Sequence, residues 1–166
     1  MEDPSIPKRE QVFSPTELYD WFGSITKMRG IRFSKEHNVV LLINSASSNY
    51  EDTVDEKKGE VIYTGTGEKD QEFGTGNPSA WNSKVKDPNS VLLYFEKPKR
   101  TYIFKFPVKY VDHHYENEEN RAGIMRRVIK FRLKIQDWGL IGGNFWSDVS
   151  SILYFDFFPD KIFVHF

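Results

Sequence analysis

Tyr50 and Tyr63 stand thirteen positions apart in the sequence, with Asp52, Thr53, Thr64 and Gly65 beside them. Two aromatic rings brought together from such positions could close on a planar ligand such as a nucleobase, each stacked base being worth about 1–3 kcal/mol. Asp52, Thr53 and Thr64 would supply the donors and acceptors that read a base edge. The same residues also suit a plain pair of strands in which the tyrosines are ordinary strand aromatics. In either case Gly65-Thr66-Gly67 reads as a tight turn, because glycine reaches backbone angles closed to other residues.

Other chemistries find less support. His113-His114 lies near Glu116, Glu118 and Glu119. Adjacent histidines on a loop do not easily share one metal, and no H-x-x-x-H or H-E-x-x-H spacing exists, so no metal site is expected. The glycine pairs at 65/67 and 74/76 fit neither phosphate-loop pattern. A G-x-S-x-G nucleophile motif is missing. The chain has no cysteine. That excludes disulfides, Cys-ligated zinc and a cysteine nucleophile. No cofactor and no catalysis by this chain itself are expected.

A chain of 166 residues is long enough for one domain with a sizeable core. With 39% hydrophobic and 16% aromatic residues, disorder is not expected for its bulk. The N-terminus lacks the apolar run of a signal peptide, and no segment is long enough to span a bilayer, so a cytoplasmic protein without a membrane partner is expected. Net charge is −1. From Val91 to Ile135, however, eleven Lys/Arg face five Asp/Glu. A basic segment in an otherwise acidic chain reads either as a polyanion-binding face or as a solvated charged strand pair.

Residues 1–13 read as a loose arm. Ser14, Pro15 and Glu17 form a helix start, with an N-cap serine, a proline at the first position and a capping-box glutamate. The helix should run to about Ile25 with Leu18, Trp21 and Phe22 on one face. Asn38–Asn44 reads as a central strand, Glu60–Thr64 as a short one, and Val91–Glu96 as another. A short helix is possible from Pro78. Thr101–Val111 alternates with a period of two, and Pro107 should mark a bulge or an edge. Asp112–Ala122 reads as a charged loop. In Met125–Ile135, Arg126, Lys130, Arg132 and Lys134 form a row of cations opposite Ile129, Phe131 and Leu133. Residues 136–166 read as a β-rich extension on the same domain. Few helices and many strands indicate an α+β chain built on a small β-barrel with flanking helices.

The ordered elements Tyr50-x-Asp52-x-Val54-Asp55, Tyr63-Thr64-Gly65-x-Gly67, Asp70-Gln71 and Asn77-x-x-Ala80-x-Asn82 resemble the SRA (SET- and RING-associated) domain. They look most like the shorter SRA-like modules of prokaryotic modification-dependent restriction proteins. The resemblance covers residues 28–112 well and extends loosely to 135. It implies a PUA-like barrel over residues 14–135 that flips a modified base, 5-methylcytosine or 5-hydroxymethylcytosine, out of duplex DNA. Tyr50 and Tyr63 would stack on the base, and Asp52, Thr53, Thr64 and Gly65 would complete the pocket. Arg29, Arg32, Lys69, Lys97, Lys99, Arg100, Arg126, Lys130, Arg132 and Lys134 would hold phosphates. Eukaryotic members fill the vacated stack with a long loop, where this chain has only Glu68 and Lys69. Gln71, Asn77 and Asn82, or the basic loop Lys27–Arg32, are the candidates for that role here. Thr53 replaces an acidic residue of the eukaryotic pattern, which leaves Asp52 to meet the amino group or changes the specificity. The implied partners are duplex DNA carrying a modified base and an attached or associated nuclease or NTPase. An RNA-binding PUA-like module and a small-ligand barrel are the alternatives.

Overall fold

In the computed structural model the described residues are 7–23, 25, 30–48 and 50–136. The expected extension at 137–166 lies outside them, as do residues 1–6 of the expected arm.

The helix start behaves as its residues dictate. Helix α1 spans Pro15–Phe22. Ser14 Oγ accepts from the Glu17 amide at 3.1 Å, and the Glu17 carboxylate accepts from the Ser14 amide at 2.6 Å. It ends earlier than expected, at Gly23, whose φ of 73° no helix interior accommodates. Leu18 and Phe22 are buried, and Trp21 packs at the edge of their cluster.

Strands β1 (Val12–Phe13), β2 (Ile31–Ser34), β3 (Val39–Ser45), β4 (Thr53–Asp55), β5 (Glu60–Thr64), β6 (Val91–Lys97), β7 (Tyr102–Glu119) and β8 (Met125–Ile135) form one sheet. Its order is β2-β3-β6-β7-β8-β5-β4, with β1 added beside β7. A second short helix, α2 (Ser79–Val85), follows the turn at Asn77-Pro78. The arm is thus shorter than expected, since Val12 and Phe13 pair with Ile103 and Tyr102.

The sheet expected as a small barrel, closed or partly closed, does not close. β2 and β4 are the ends of the sheet and do not pair with each other. The sheet is nevertheless rolled. Ile31 of β2, Tyr63 of β5, Tyr94 of β6 and Phe131 of β8 share one inner cluster, and Val85 of α2 packs into it. Across the seam, the Tyr63 hydroxyl donates to the Ile43 carbonyl at 3.1 Å, although β5 and β3 are four places apart in the sheet. The outer face carries a second cluster, with Phe13, Leu18 and Phe22 covering Leu41, Ile43, Leu93 and Phe95.

Two bulges explain where the period of two misleads. Tyr94 pairs with Phe106 and Phe95 with Phe104, so Lys105 is the extra residue. The bulge lies two residues before Pro107. It sends Phe104 to the outer cluster and Phe106 to the inner one, although both are even-numbered. The second bulge, at Val111, marks the start of the segment expected as a charged loop. That segment is instead the outer half of β7, paired with β8 from Asp112↔Arg132 to Glu119↔Met125. It forms a hairpin arm closed by Asn120, whose side-chain oxygen accepts from the Ala122 and Ile124 amides at 2.9 and 3.0 Å. Gly123 supplies the positive φ of 74° that the turn needs.

Candidate nucleic-acid interface

The Thr64–Gly67 turn is built from below by buried amides. Gln71 and Asn82 are 1% and 0% exposed. Gln71 Nε2 donates to the Gly65 carbonyl at 2.8 Å, and its Oε1 accepts from the Ile129 amide at 2.8 Å. Asn82 accepts from the Thr66 amide at 2.8 Å and donates to the Thr66 and Glu72 carbonyls at 3.0 Å each. A Cβ at Gly65 would lie 2.7 Å from Gln71 Oε1 and 2.9 Å from Asn82 Oδ1, so the clamp requires glycine there. Gly67 has φ 134° and is required for its backbone. Gln71 and Asn82 therefore hold the turn and cannot reach into a DNA stack, which corrects the gap-filling expectation. Asn77 lies exposed in the loop before α2.

Facing this turn is a cavity of about 410 Å3 at the seam of the rolled sheet. That volume is within the usual 300–1,000 Å3 range of small-ligand sites. Gly30, Ile43 and Ser45 line it from the β2–β3 side; Thr66, Gly67 and Arg126 line it from the β5–β8 side. Tyr50 forms part of the wall, and the hairpin tip Asn120–Ala122 forms part of the rim. Asn120 Nδ2 ties the tip to the Glu68 carbonyl at 3.2 Å. Arg32 and Lys97 also line the cavity, and both approach the Tyr102 ring, at 4.9 and 5.3 Å from its centroid.

The two tyrosines have different fates. Tyr50 is half-buried at the cavity, with the Arg126 guanidinium 5.3 Å from its ring centroid. Tyr63 is 2% exposed and belongs to the inner core, edge-on to Tyr94 at 6.3 Å. Its hydroxyl lies behind the cavity wall, where a Cβ on Gly30 would approach it to 2.9 Å. In this structure it offers no open face for stacking, because β5 points it inward with Val61. Burial raises its hydroxyl pKa well above the usual value.

Asp52 accepts from the Thr64 amide at 2.7 Å. Burial pushes its carboxyl up to about 6; the Thr64 amide and hydroxyl and the Lys130 ammonium oppose the rise, and Glu118 adds to it. Thr64 is buried, and its hydroxyl accepts from Lys130 Nζ at 2.8 Å. Thr53 lies exposed on β4 opposite Ile62, away from the cavity lining.

The row of cations is not a uniform phosphate face. Lys130 is 2% exposed, ion-paired with Glu118 and bonded to the Glu51 carbonyl at 3.2 Å. Arg132 is held by Asp112 and lies 3.8 Å from Glu60. These contacts correct the assignment of Lys130 to DNA phosphates and leave Arg132 already engaged. Arg126 is 7% exposed, and its Nε and Nη1 have no hydrogen-bond partner among the described residues. Lys69, Lys99, Arg100 and Lys134 are exposed, whereas Arg29 lies outside the described residues. Thr66, Asn120 and Arg121 were not among the sequence candidates; the Asn120-x-x-Gly123 spacing is the one local sign that a shaped turn stands there.

Among the described residues, no helix is long and apolar enough to cross a membrane. His113 bonds the Tyr110 hydroxyl and His114 bonds Glu116, both at 2.7 Å. The described residues contain no group of three or more metal-ligating side chains.

No curated protein matches the sequence. The rolled sheet is similar to that of the sulfur binding domain and SRA domain of ScoMcrA complexed with phosphorothioated DNA. The TM-score is 0.61 at 15% identity, over 90% of this chain and 45% of that one. The DNA modification-dependent restriction endonuclease AspBHI gives 0.60 at 17% identity, over 78% of this chain and 71% of that one. The SUVH5 SRA domain in complex with methylated CHH DNA gives 0.52 at 24% identity, over 84% and 90%. This chain thus spans less than half of the ScoMcrA fragment it resembles. At these identities the likenesses establish the fold. The sequence itself matches the family described as ScoMcrA-like, SRA domain, over residues 9–138. The chain belongs to this family of SRA domains.

Proposed function

We propose that this chain is a reader of modified DNA that takes a modified base, 5-methylcytosine or 5-hydroxymethylcytosine, out of the duplex into the seam cavity. The observation that carries the reading is Arg126. A guanidinium so buried, with two nitrogens lacking acceptors, sits at the cavity wall beside the Tyr50 ring. An unmatched buried polar group costs about 1–3 kcal/mol, and more when charged. A nucleotide entering the cavity brings acceptors that remove this cost and an aromatic face that can meet Tyr50.

Flipping a base costs a few kcal/mol, which stacking and edge contacts must offset. Tyr50 supplies the ring at the cavity. The exposed Lys69, Lys99 and Arg100 stand free for phosphates, which position the duplex without reading its sequence. The reading assigns no chemical step to this chain; cleavage or strand remodelling belongs to an accompanying nuclease or NTPase. The ScoMcrA restriction endonuclease, of which this chain covers 24%, is a much larger protein, and its similarity supports that assignment.

The test is a binding panel at fixed salt with duplexes carrying one plain, methylated or hydroxymethylated cytosine, or one phosphorothioate linkage. Tighter binding to a cytosine modification than to the plain duplex is expected. Equal affinity across the panel would remove base reading, and preference for the phosphorothioate alone would move recognition to the backbone.

A further inference from the structure

Four cations line the seam cavity, Arg32, Lys97, Arg121 and Arg126, against one carboxylate, Glu68. The chain as a whole carries −1, so positive charge is concentrated at this place. Carboxylates that could balance it are turned elsewhere. Glu118 stands opposite Arg126 in the β7–β8 ladder but pairs with Lys130. Glu96 precedes Lys97 on β6 and points to the other face, where it lies 3.9 Å from Lys105. Glu68 is exposed at the rim. The cations differ in depth. Arg121 is exposed and Lys97 is half-buried, whereas Arg126 is 7% exposed with Nε and Nη1 lacking partners among the described residues. A charge so buried is ordinarily paired. The cavity, at about 410 Å3, is of a size that takes a drug-sized ligand, larger than a pyrimidine with one methyl group.

We propose that the cavity selects a cytosine whose 5-substituent is an ionised carboxyl group, with Arg126 as the cation that meets it and Lys97 as the second. This rests on the reading of the cavity as a base site and names the substituent that site takes. The Arg126 guanidinium lies 5.3 Å from the centroid of the Tyr50 ring, so a group at the edge of a base stacked on that ring comes within its reach. A neutral base edge offers acceptors but no charge. A carboxylate offers both, in the planar two-oxygen form that a guanidinium fork matches. Ser45 and Thr66 add hydroxyl donors to the same lining. A phosphate carries the same charge, but the phosphates of a flipped nucleotide stay with the strand outside the rim, where Arg121 stands. Only a group on the base itself is carried as deep as Arg126.

The experiment measures Kd at fixed salt and neutral pH, where a carboxyl group is ionised. The duplexes carry one plain, 5-methyl-, 5-hydroxymethyl- or 5-carboxylcytosine opposite guanine. The carboxyl duplex should bind about tenfold tighter than the methyl duplex, the worth of one charge-assisted hydrogen bond, with the hydroxymethyl duplex between them. Arg126→Gln and Lys97→Met should each bring the ratio of carboxyl to methyl affinity toward one. Lys99→Met removes an exposed cation outside the cavity lining and should weaken every duplex alike, leaving the ratio as it is. A ratio that falls as far in Lys99→Met is a general charge effect and overturns the inference, as does a ratio that survives in Arg126→Gln. Should Arg126→Gln not fold, Lys97→Met decides in its place, and an intact ratio there contradicts the account. Neutral methylphosphonates flanking the modified cytosine should leave the ratio unchanged; its loss would move the anion to the backbone and overturn the assignment. A carboxyl duplex no tighter than the methyl duplex, with both tighter than plain, overturns the acidic substituent and leaves the base site standing. Plain DNA bound as tightly as every modified duplex removes the base site and this inference with it.

Discussion

The two ends of one row on β8 have different fates. Arg126 and Lys130 point the same way from the strand as Arg132 and Lys134. The first two are covered, one by Tyr50 and the other by Glu118 and the Glu51 segment. Of the second two, Arg132 lies at the surface against Asp112, and Lys134 is exposed. Identical alternation thus produces a cavity wall at one end and a solvated face at the other. What separates them is the chain that crosses above: residues 50–52 cover only the end nearest the hairpin tip. A cation's worth to the protein follows from that cover and its partners, since burial multiplies both attraction and cost.

The sharpest contrast should come from removing one cation at each end. Lys130→Ala strands the Glu118 carboxylate and is expected to cost about 3–5 kcal/mol of unfolding free energy. Arg132→Ala should leave the denaturation midpoint unchanged within the precision of the measurement, because exposed pairs contribute little. Similar losses at the two positions, read by urea unfolding, would erase the distinction.

A comparable split is expected of the tyrosines. Tyr63→Ala opens a cavity in the inner core and should destabilise by about 3–5 kcal/mol. Tyr50→Ala should leave the fold intact and weaken binding to methylated duplex by about 1–3 kcal/mol. The pair is checked by unfolding and binding on the same preparations. A large fall in stability for Tyr50→Ala would place it in the core as well.

Asp52 predicts a smaller and pH-dependent effect. Its carboxyl is raised from 3.8 to about 6 by burial, so between these values the native state holds a proton that the unfolded chain has released. Stability should therefore fall as pH rises through that window, by at most about 3 kcal/mol at 1.36 kcal/mol per unit, and stay level above it. Asp52→Asn should flatten the window, raise stability at pH 7, and weaken binding to methylated duplex. A window that persists in Asp52→Asn would assign the proton to another group.

Much of this was legible where a local rule had one solution. Ser14, Pro15 and Glu17 specify a cap that the structure forms atom for atom. Val39–Ser45, apolar on both faces, is covered by a cluster on each side, as a central strand must be. The hairpin arm was not legible, because residues 112–119 pair along their backbone while offering no apolar face to signal a strand. Nor were the bulges at Lys105 and Val111, which shift the phase of an unbroken alternation. Tyr63 misled for a related reason: pattern places a ring on one side of β5, but which side faces the cavity depends on how far the sheet rolls. Gln71 and Asn82 look like surface amides in the sequence, and only the close approach of Gly65 reveals them as buried clamps.

The central claim is that the cavity beside Tyr50 and Arg126 receives a modified base. It is tested most directly by placing 2-aminopurine next to the modified cytosine and following fluorescence as the protein is added. The account predicts enhancement at the neighbouring position with a methylated target, as its stacking partner leaves the duplex, and loss of that enhancement in Arg126→Ala. Binding of the methylated duplex with no change in fluorescence would contradict it.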